Sequence, residues 1–265
     1  MTTMIPLEDV ELNAFDEGEG DAIVFIHGFP LDHSMWRFQL EEFARTHRVI
    51  APDLRGFGQS EDSAGVVTME RLADDIAGLL DCLEIPGSVT VCGLSMGGYV
   101  AWQFWKRHPY RLRRLIQCDT RAVADSMEAR QTRLESSDRV LREGPDFLAA
   151  TMPEKMFSPV TRSQQPDLVN EVQQTIIRNS PVGISAALLG MAARPDVTDW
   201  LPRIQVPTLL LVGADDVIST PDEMTSIATG IPGATLKIIP QAGHLAPLEQ
   251  PQQVNRILRE FLQQS

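Results

Sequence analysis

The chain has 265 residues, 43% hydrophobic and 22% charged with both signs interleaved, a composition that fits one globular domain with a large core and excludes a fibre or a disordered tail. Its formal charge of −13 repels phosphate backbones and anionic lipid headgroups, which excludes nucleic acid and membrane surfaces as expected partners. The acidic first 20 residues lack a basic start and an apolar stretch, no run approaches the length of a bilayer span, and Cys82, Cys92 and Cys118 show no metal-ligand spacing, so a cytoplasmic protein with reduced, buried thiols is expected.

From the N-terminus, residues 11–15 offer a short antiparallel edge strand. Ala22–Ile26 is the first wholly apolar run, and it leads into His27-Gly28-Phe29-Pro30. Such a run is buried on both faces of a parallel sheet. The glycine lets the following loop fold back, and the backbone N–H of Phe29 is then a candidate donor to an oxyanion. His27 is read as ordering this loop by hydrogen bonding. A helix over 36–45 and a strand over 48–51 follow, then Pro52-Asp-Leu-Arg-Gly-Phe-Gly-Gln-Ser60. That loop lacks the lysine and the spacing of a phosphate cradle, so a turn fixed by Asp53 and Arg55 through backbone hydrogen bonds is expected.

A helix over 69–83 and a strand over 88–92 bring the chain to Val89-Thr-Val-Cys-Gly-Leu-Ser95-Met-Gly-Gly98. Here G-x-S-x-G lies between a strand and a helix (97–107), the context of a nucleophile elbow. The serine sits on a strained turn, and Gly93 and Gly97 let the backbones pass. The helix N-terminus favours negative charge beside Ser95, and the Met96 N–H is the second candidate oxyanion donor. Trp102 and Trp105 on that helix are read as core packing.

Leu112–Cys118 is the next strand, and it ends at Asp119, which the neighbouring residues mark as a structural ion pair with Arg121. Between 120 and 203 the strand-helix alternation lapses. Helical patterns (121–143, 167–179) broken by prolines imply a helical cap inserted into a core of residues 1–119 and 204–265. The apolar cap residues Met127, Leu134, Phe147, Leu148, Met152, Met156 and Phe157 have the spacing of core packing, and Arg121 and Arg130 that of solvated surface.

The strand over 208–212 ends at Gly213-Ala-Asp215-Asp216, a helix covers 221–229, and Thr235–Ile239 leads to Gly243-His244 before the last helix, Pro251–Leu262. His244 lies where open α/β sheets place their ligands and is the candidate general base. His33, His47 and His108 are read as surface residues. The acid that orients the base falls between serine and histidine in chain order, at a strand end. Asp216 is preferred over a solvent-facing Asp215, with Asp119 as a further contender. The fold class is therefore α/β, a mostly parallel twisted sheet flanked by helices.

Four motifs in order, His27-Gly-Phe-Pro, Asp53-Leu-Arg-Gly-Phe-Gly-Gln-Ser, Gly93-Leu-Ser-Met-Gly-Gly and Gly213-Ala-Asp-Asp with Gly243-His, make the chain resemble the α/β-hydrolases over nearly its whole length. The resemblance implies a triad of Ser95, Asp216 and His244, an oxyanion hole at Phe29 and Met96, a cap over the site, and neither cofactor nor metal. Serine at the elbow argues against haloalkane dehalogenases and epoxide hydrolases, which carry aspartate there, and Leu94 argues against carbon-carbon hydrolases. Within the family, the elbow and the Gly-His-Leu-x-Pro-Leu-Glu-Gln-Pro stretch are similar to small carboxylesterases and 3-oxoadipate enol-lactonases. The His-Gly pair favours a general ester hydrolase. Enol-lactonase, cofactor-free perhydrolase and a ligand receptor with vestigial hydrolysis stay open as alternatives. The expected partner is a small ester or lactone, and the oligomeric state, homo-oligomer included, is left open.

Overall fold

Strands β1 (Thr2–Pro6), β2 (Glu11–Glu17), β3 (Ala22–Ile26), β4 (Arg48–Pro52), β5 (Val89–Leu94), β6 (Leu112–Cys118), β7 (Thr208–Gly213) and β8 (Thr235–Ile239) form an eight-stranded sheet in the computed structural model, which describes residues 2–263. The order is β1-β2-β4-β3-β5-β6-β7-β8. β2 is antiparallel to both β1 and β4, and the pairing is parallel from β4 to β8. The central strands β3, β5 and β7 are buried at every residue, as their unbroken apolar runs require.

The sheet edges differ from the sequence expectation. β2 is antiparallel but internal, because β1 covers it. The apolar run of β8 reads as doubly buried, yet β8 closes the far edge and exposes Lys237 and Ile238. An exposed lysine on an edge strand discourages pairing with another chain.

Helices α1 (Arg37–Phe43), α2 (Met69–Cys82) and α3 (Met96–Arg107) lie within the first half of the chain. Next come α4 (Met127–Glu143), α5 (Asp146–Met156), α6 (Pro159–Gln164), α7 (Pro166–Arg178) and α8 (Pro181–Ala193), all between β6 and β7. Then follow α9 (Pro221–Gly230), α10 (Ala246–Glu249) and α11 (Pro251–Leu262). Side-chain oxygens of Thr68, Ser126, Ser158, Ser180 and Thr220 each cap a helix start by accepting a backbone N–H. The Ser126 cap explains why the helix expected from residue 121 begins at Met127. α11 buries Val254, Ile257, Leu258 and Phe261, one face at helical spacing.

α8 is apolar nearly all round and is accordingly buried. The Ser137 hydroxyl of α4 meets that of Ser185 at 2.7 Å, and the Ala186 carbonyl accepts the Val67 N–H at 3.2 Å. Leu148, Met156 and Phe157 are buried as expected, and Phe147 and Met152 partly so. Met127, however, is 91% exposed and Leu134 faces outward, because α4 presents only Ser137 and Val140 inward. Cys92 and Cys118 are buried thiols, whereas Cys82 is exposed. Among the described residues no single helix is long and apolar enough to cross a membrane.

Candidate active site

Ser95 lies between β5 and α3 with φ 54° and ψ −110°, a left-handed conformation that strains a residue bearing a side chain. A Cβ on Gly93 would overlap the backbone of Gly97, and one on Gly97 would overlap the Ile26 carbonyl, so the elbow closes only with glycine at both positions. The turn is held by backbone bonds. The Ser95 N–H donates to the Cys118 carbonyl at 2.9 Å, and the Ser95 carbonyl accepts from Thr120 Oγ1 at 2.8 Å.

The loop after β3 lies against this turn. His27 is fully buried; its Nδ1 lies 2.9 Å from the Gly28 carbonyl and its Nε2 accepts the Leu54 N–H at 2.9 Å. Burial pushes its imidazole below the ordinary histidine range, consistent with a neutral ring holding two loops together. Among the described residues neither the Phe29 N–H nor the Met96 N–H donates to a protein acceptor.

Asp216 and His244 arrive from the ends of β7 and β8. They are 3% and 2% exposed, and His244 Nδ1 lies 2.8 Å from Asp216 Oδ2. Asp216 Oδ1 accepts the N–H groups of Ile218 and Ser219 at 2.7 and 3.1 Å. Burial alone would raise the carboxyl, but the imidazole and these amides outweigh it and hold Asp216 below the usual carboxylate range. Asp215 is exposed. Ser95 stands at the same strand ends, but no hydrogen bond joins its hydroxyl to His244, and His244 Nε2 has no partner among the described residues. Catalytic hydrogen bonds commonly tighten only in the Michaelis complex.

Three features escape sequence reasoning. Glu249, buried in α10, accepts the Gly243 N–H at 2.7 Å and the Ser158 N–H at 2.8 Å, while the His244 N–H donates to the Met156 carbonyl at 2.8 Å. These bonds fasten the His244 loop to the junction of α5 and α6. Asn179, after α7, donates to the Pro30 carbonyl at 2.9 Å and accepts the Gly58 N–H at 2.7 Å, fastening the turn between α7 and α8 to the loops after β3 and β4. Asp119 does not pair with Arg121, which reaches Glu223 instead at 2.8 Å. Asp119 is fully buried at φ 47°, and its Oδ1 accepts the Gly213 N–H at 2.8 Å.

The loop after β4 departs in part from expectation. Asp53 does fix the turn, accepting the N–H groups of His33 at 2.9 Å and Gln59 at 3.0 Å, but Arg55 instead forms a buried two-pronged pair with Asp75 at 2.7 and 2.9 Å. His33 is not a free surface residue; its Nδ1 lies 2.6 Å from Asp53. Trp102 is buried, and its indole N–H donates to the Arg121 carbonyl at 3.1 Å. The two histidine-carboxyl clusters, Asp32-His33-Asp53 and Asp119-Asp216-His244, each contain a direct hydrogen bond between an imidazole Nδ1 and a carboxyl oxygen.

A cleft of about 470 Å³ opens beside Phe29, with Arg133, Leu148, Met152, Lys155 and Leu188 in its walls. Arg133 is held by Asp125 at 2.6 Å, and Arg130 is exposed.

Residues 21–251 match the family model described as alpha/beta hydrolase fold. The 3-oxoadipate enol-lactonase 2 of Acinetobacter baylyi is 30% identical over 257 residues, 96% of this chain and 94% of that protein. Among solved structures, a thermophilic esterase from Thermogutta terrifontis superposes with a TM-score of 0.96 at 46% identity, covering 99% of this chain and 98% of that one. The enol-lactonase of Burkholderia xenovorans LB400 superposes with a TM-score of 0.92 at 27% identity, covering 99% and 100%.

Proposed function

Because the chain belongs to the α/β-hydrolase fold family, we propose that it is a serine hydrolase that cleaves small carboxylic esters through an acyl-enzyme, with Ser95 as nucleophile, His244 as base and Asp216 as the acid that orients the base. The observation that carries this reading is the buried 2.8 Å Asp216–His244 bond at the same strand ends as the strained Ser95 turn. The 46% identity to an esterase over nearly the full chain supports it.

In this mechanism Ser95 Oγ attacks the ester carbonyl as its proton passes to His244 Nε2. Asp216 stabilises the imidazolium and fixes the ring with Nδ1 as donor. The Phe29 and Met96 amides receive the oxyanion, each such donor being worth ~10²–10³ in rate. His244 then protonates the leaving alcohol; water, deprotonated by the same imidazole, attacks the acyl carbonyl, and the imidazolium returns that proton to Ser95 Oγ as the acid leaves. The residues between β6 and β7 act as a cap over this site. The reaction proceeds in the cytoplasm on a small soluble substrate and needs no cofactor.

Lactone hydrolysis is the second reading, favoured by the likeness to enol-lactonases. It uses the same steps with the alcohol tethered to the acyl group. One preparation assayed on p-nitrophenyl acetate and butyrate, enol-lactones and peracid formation ranks these activities. A phosphonate probe tests activation of Ser95. Absence of multiple turnover on every ester and lactone, with or without labelling, counts against a hydrolase and for a receptor.

A further inference from the structure

Asp119 and Asp216 follow the ends of adjacent parallel strands, β6 and β7, and both carboxyl groups are buried. Within this group one carboxylate oxygen of each aspartate and a ring nitrogen of His244 lie within 4.8 Å of one another. Asp119 Oδ1 is held by the Gly213 N–H, while Oδ2, wholly buried, has no hydrogen-bond donor among the described residues. An ionised oxygen in that position would be desolvated, unpaired and set against a second anion.

We propose that Asp119 is a positioning residue held as a neutral carboxylic acid, its Oδ2–H donated to the carboxylate of Asp216. The assignment rests on the proposed role of Asp216 in orienting His244.

Donor counts decide which aspartate keeps the proton. Asp216 is surrounded by the His244 imidazole and the Ile218 and Ser219 amides, whereas Asp119 has the Gly213 amide alone. Burial drives the Asp119 carboxyl well above the usual range, and repulsion from Asp216 adds to it. Besides Asp216 and His244, the titratable group set against it is the Cys118 thiol of β6, which is itself paired with Cys92 of β5 and pushed up. With Asp119 neutral, Asp216 carries the local negative charge alone and is clamped by donors on several sides, so the imidazole it holds has one orientation. Asp119 itself touches no reacting atom.

Asp119→Asn keeps an acceptor for Gly213 and an N–H donor for Asp216, and it leaves the charge unchanged if the acid is neutral. The acidic limb of kcat/KM for p-nitrophenyl butyrate should then stay within about 0.3 pH unit of the unmodified protein. If Asp119 is ionised, its removal as a charge shifts that limb downward by about 1–3 pH units, which overturns the proposal. Asp119→Ala should lower kcat about 10- to 100-fold with little change in KM, and Asn should restore it. An equal loss in both variants also overturns it.

Should either variant fail to fold, carbon-13 NMR of the unmodified protein with labelled aspartate carboxyls decides the matter. One aspartate signal must keep the protonated shift from pH 5 to 8, and its absence at pH 7 overturns the proposal. Failure of the underlying reading shows separately, as loss of phosphonate labelling at Ser95 in the unmodified protein. The NMR signal answers the Asp119 question in either case.

Discussion

Glu249 and Ser158 are joined by a 2.8 Å hydrogen bond from the Ser158 backbone, and the other Glu249 oxygen takes the Gly243 N–H beside His244. One buried carboxyl group thus serves the loop of the proposed base and the start of α6 together. Glu249→Ala leaves two buried amides without an acceptor and should lower stability by about 2–5 kcal/mol in urea unfolding. Glu249→Gln, which retains one acceptor oxygen, should lose less. Equal stability of the alanine variant and the unmodified protein contradicts the role given to these bonds.

Ser95→Ala should reduce turnover of p-nitrophenyl butyrate by about 10⁴- to 10⁶-fold, with folding intact by circular dichroism. Unchanged turnover in a correctly folded variant removes Ser95 from the mechanism.

Gly28→Ala tests the loop that presents the Phe29 amide. Its added methyl would stand 2.7 Å from Leu94 Cδ2 and 3.3 Å from the Leu94 carbonyl. Leu94 is fully buried below the elbow, so either its side chain shifts or the loop moves and carries the amide with it. We expect kcat to fall about 10²-fold while the melting temperature changes little. A reduced melting temperature with unchanged kcat marks Gly28 as a packing residue only.

Two histidines give stability opposite pH dependences. Burial lowers the His33 pKa, but the hydrogen bond and charge of Asp53 outweigh it and the net shift is upward. Its contribution is therefore complete below the unfolded value of about 6.5 and is lost as pH rises through the folded value. His27 is shifted downward, so its contribution is complete above about 6.5 and shrinks as pH falls. Urea unfolding at pH 5 to 9 should show His33→Asn costing most in acid and His27→Gln costing most in alkali. The reverse order refutes the assignment.

The parallel sheet was legible because unbroken valine and isoleucine runs have few other uses, and the tight turn at Ser95 because the glycines around it answer a steric need visible in six residues of text. β1 was not legible: Thr2–Pro6 shows no clear alternation and becomes a strand only by covering β2. α8 has no polar face from which to read a period. Long-range partners were the larger gap. Glu249 stands in a recognisable string, but Ser158 is 91 positions away, and Arg121 passes over adjacent Asp119 for Glu223, 102 positions on. Asp119 and Asp216 each end a strand in the sequence, and only the β6–β7 pairing brings them to one place.

Asn179 bridges Pro30 and Gly58 while Met156 and Ser158 are bonded to His244 and Glu249, so the helices between β6 and β7 are fastened to the body of the molecule at two separated points. A segment attached in this way lacks a single pivot. Heat should therefore not loosen it ahead of the rest, and the temperature at which the protein stops working should coincide with that at which the whole chain melts.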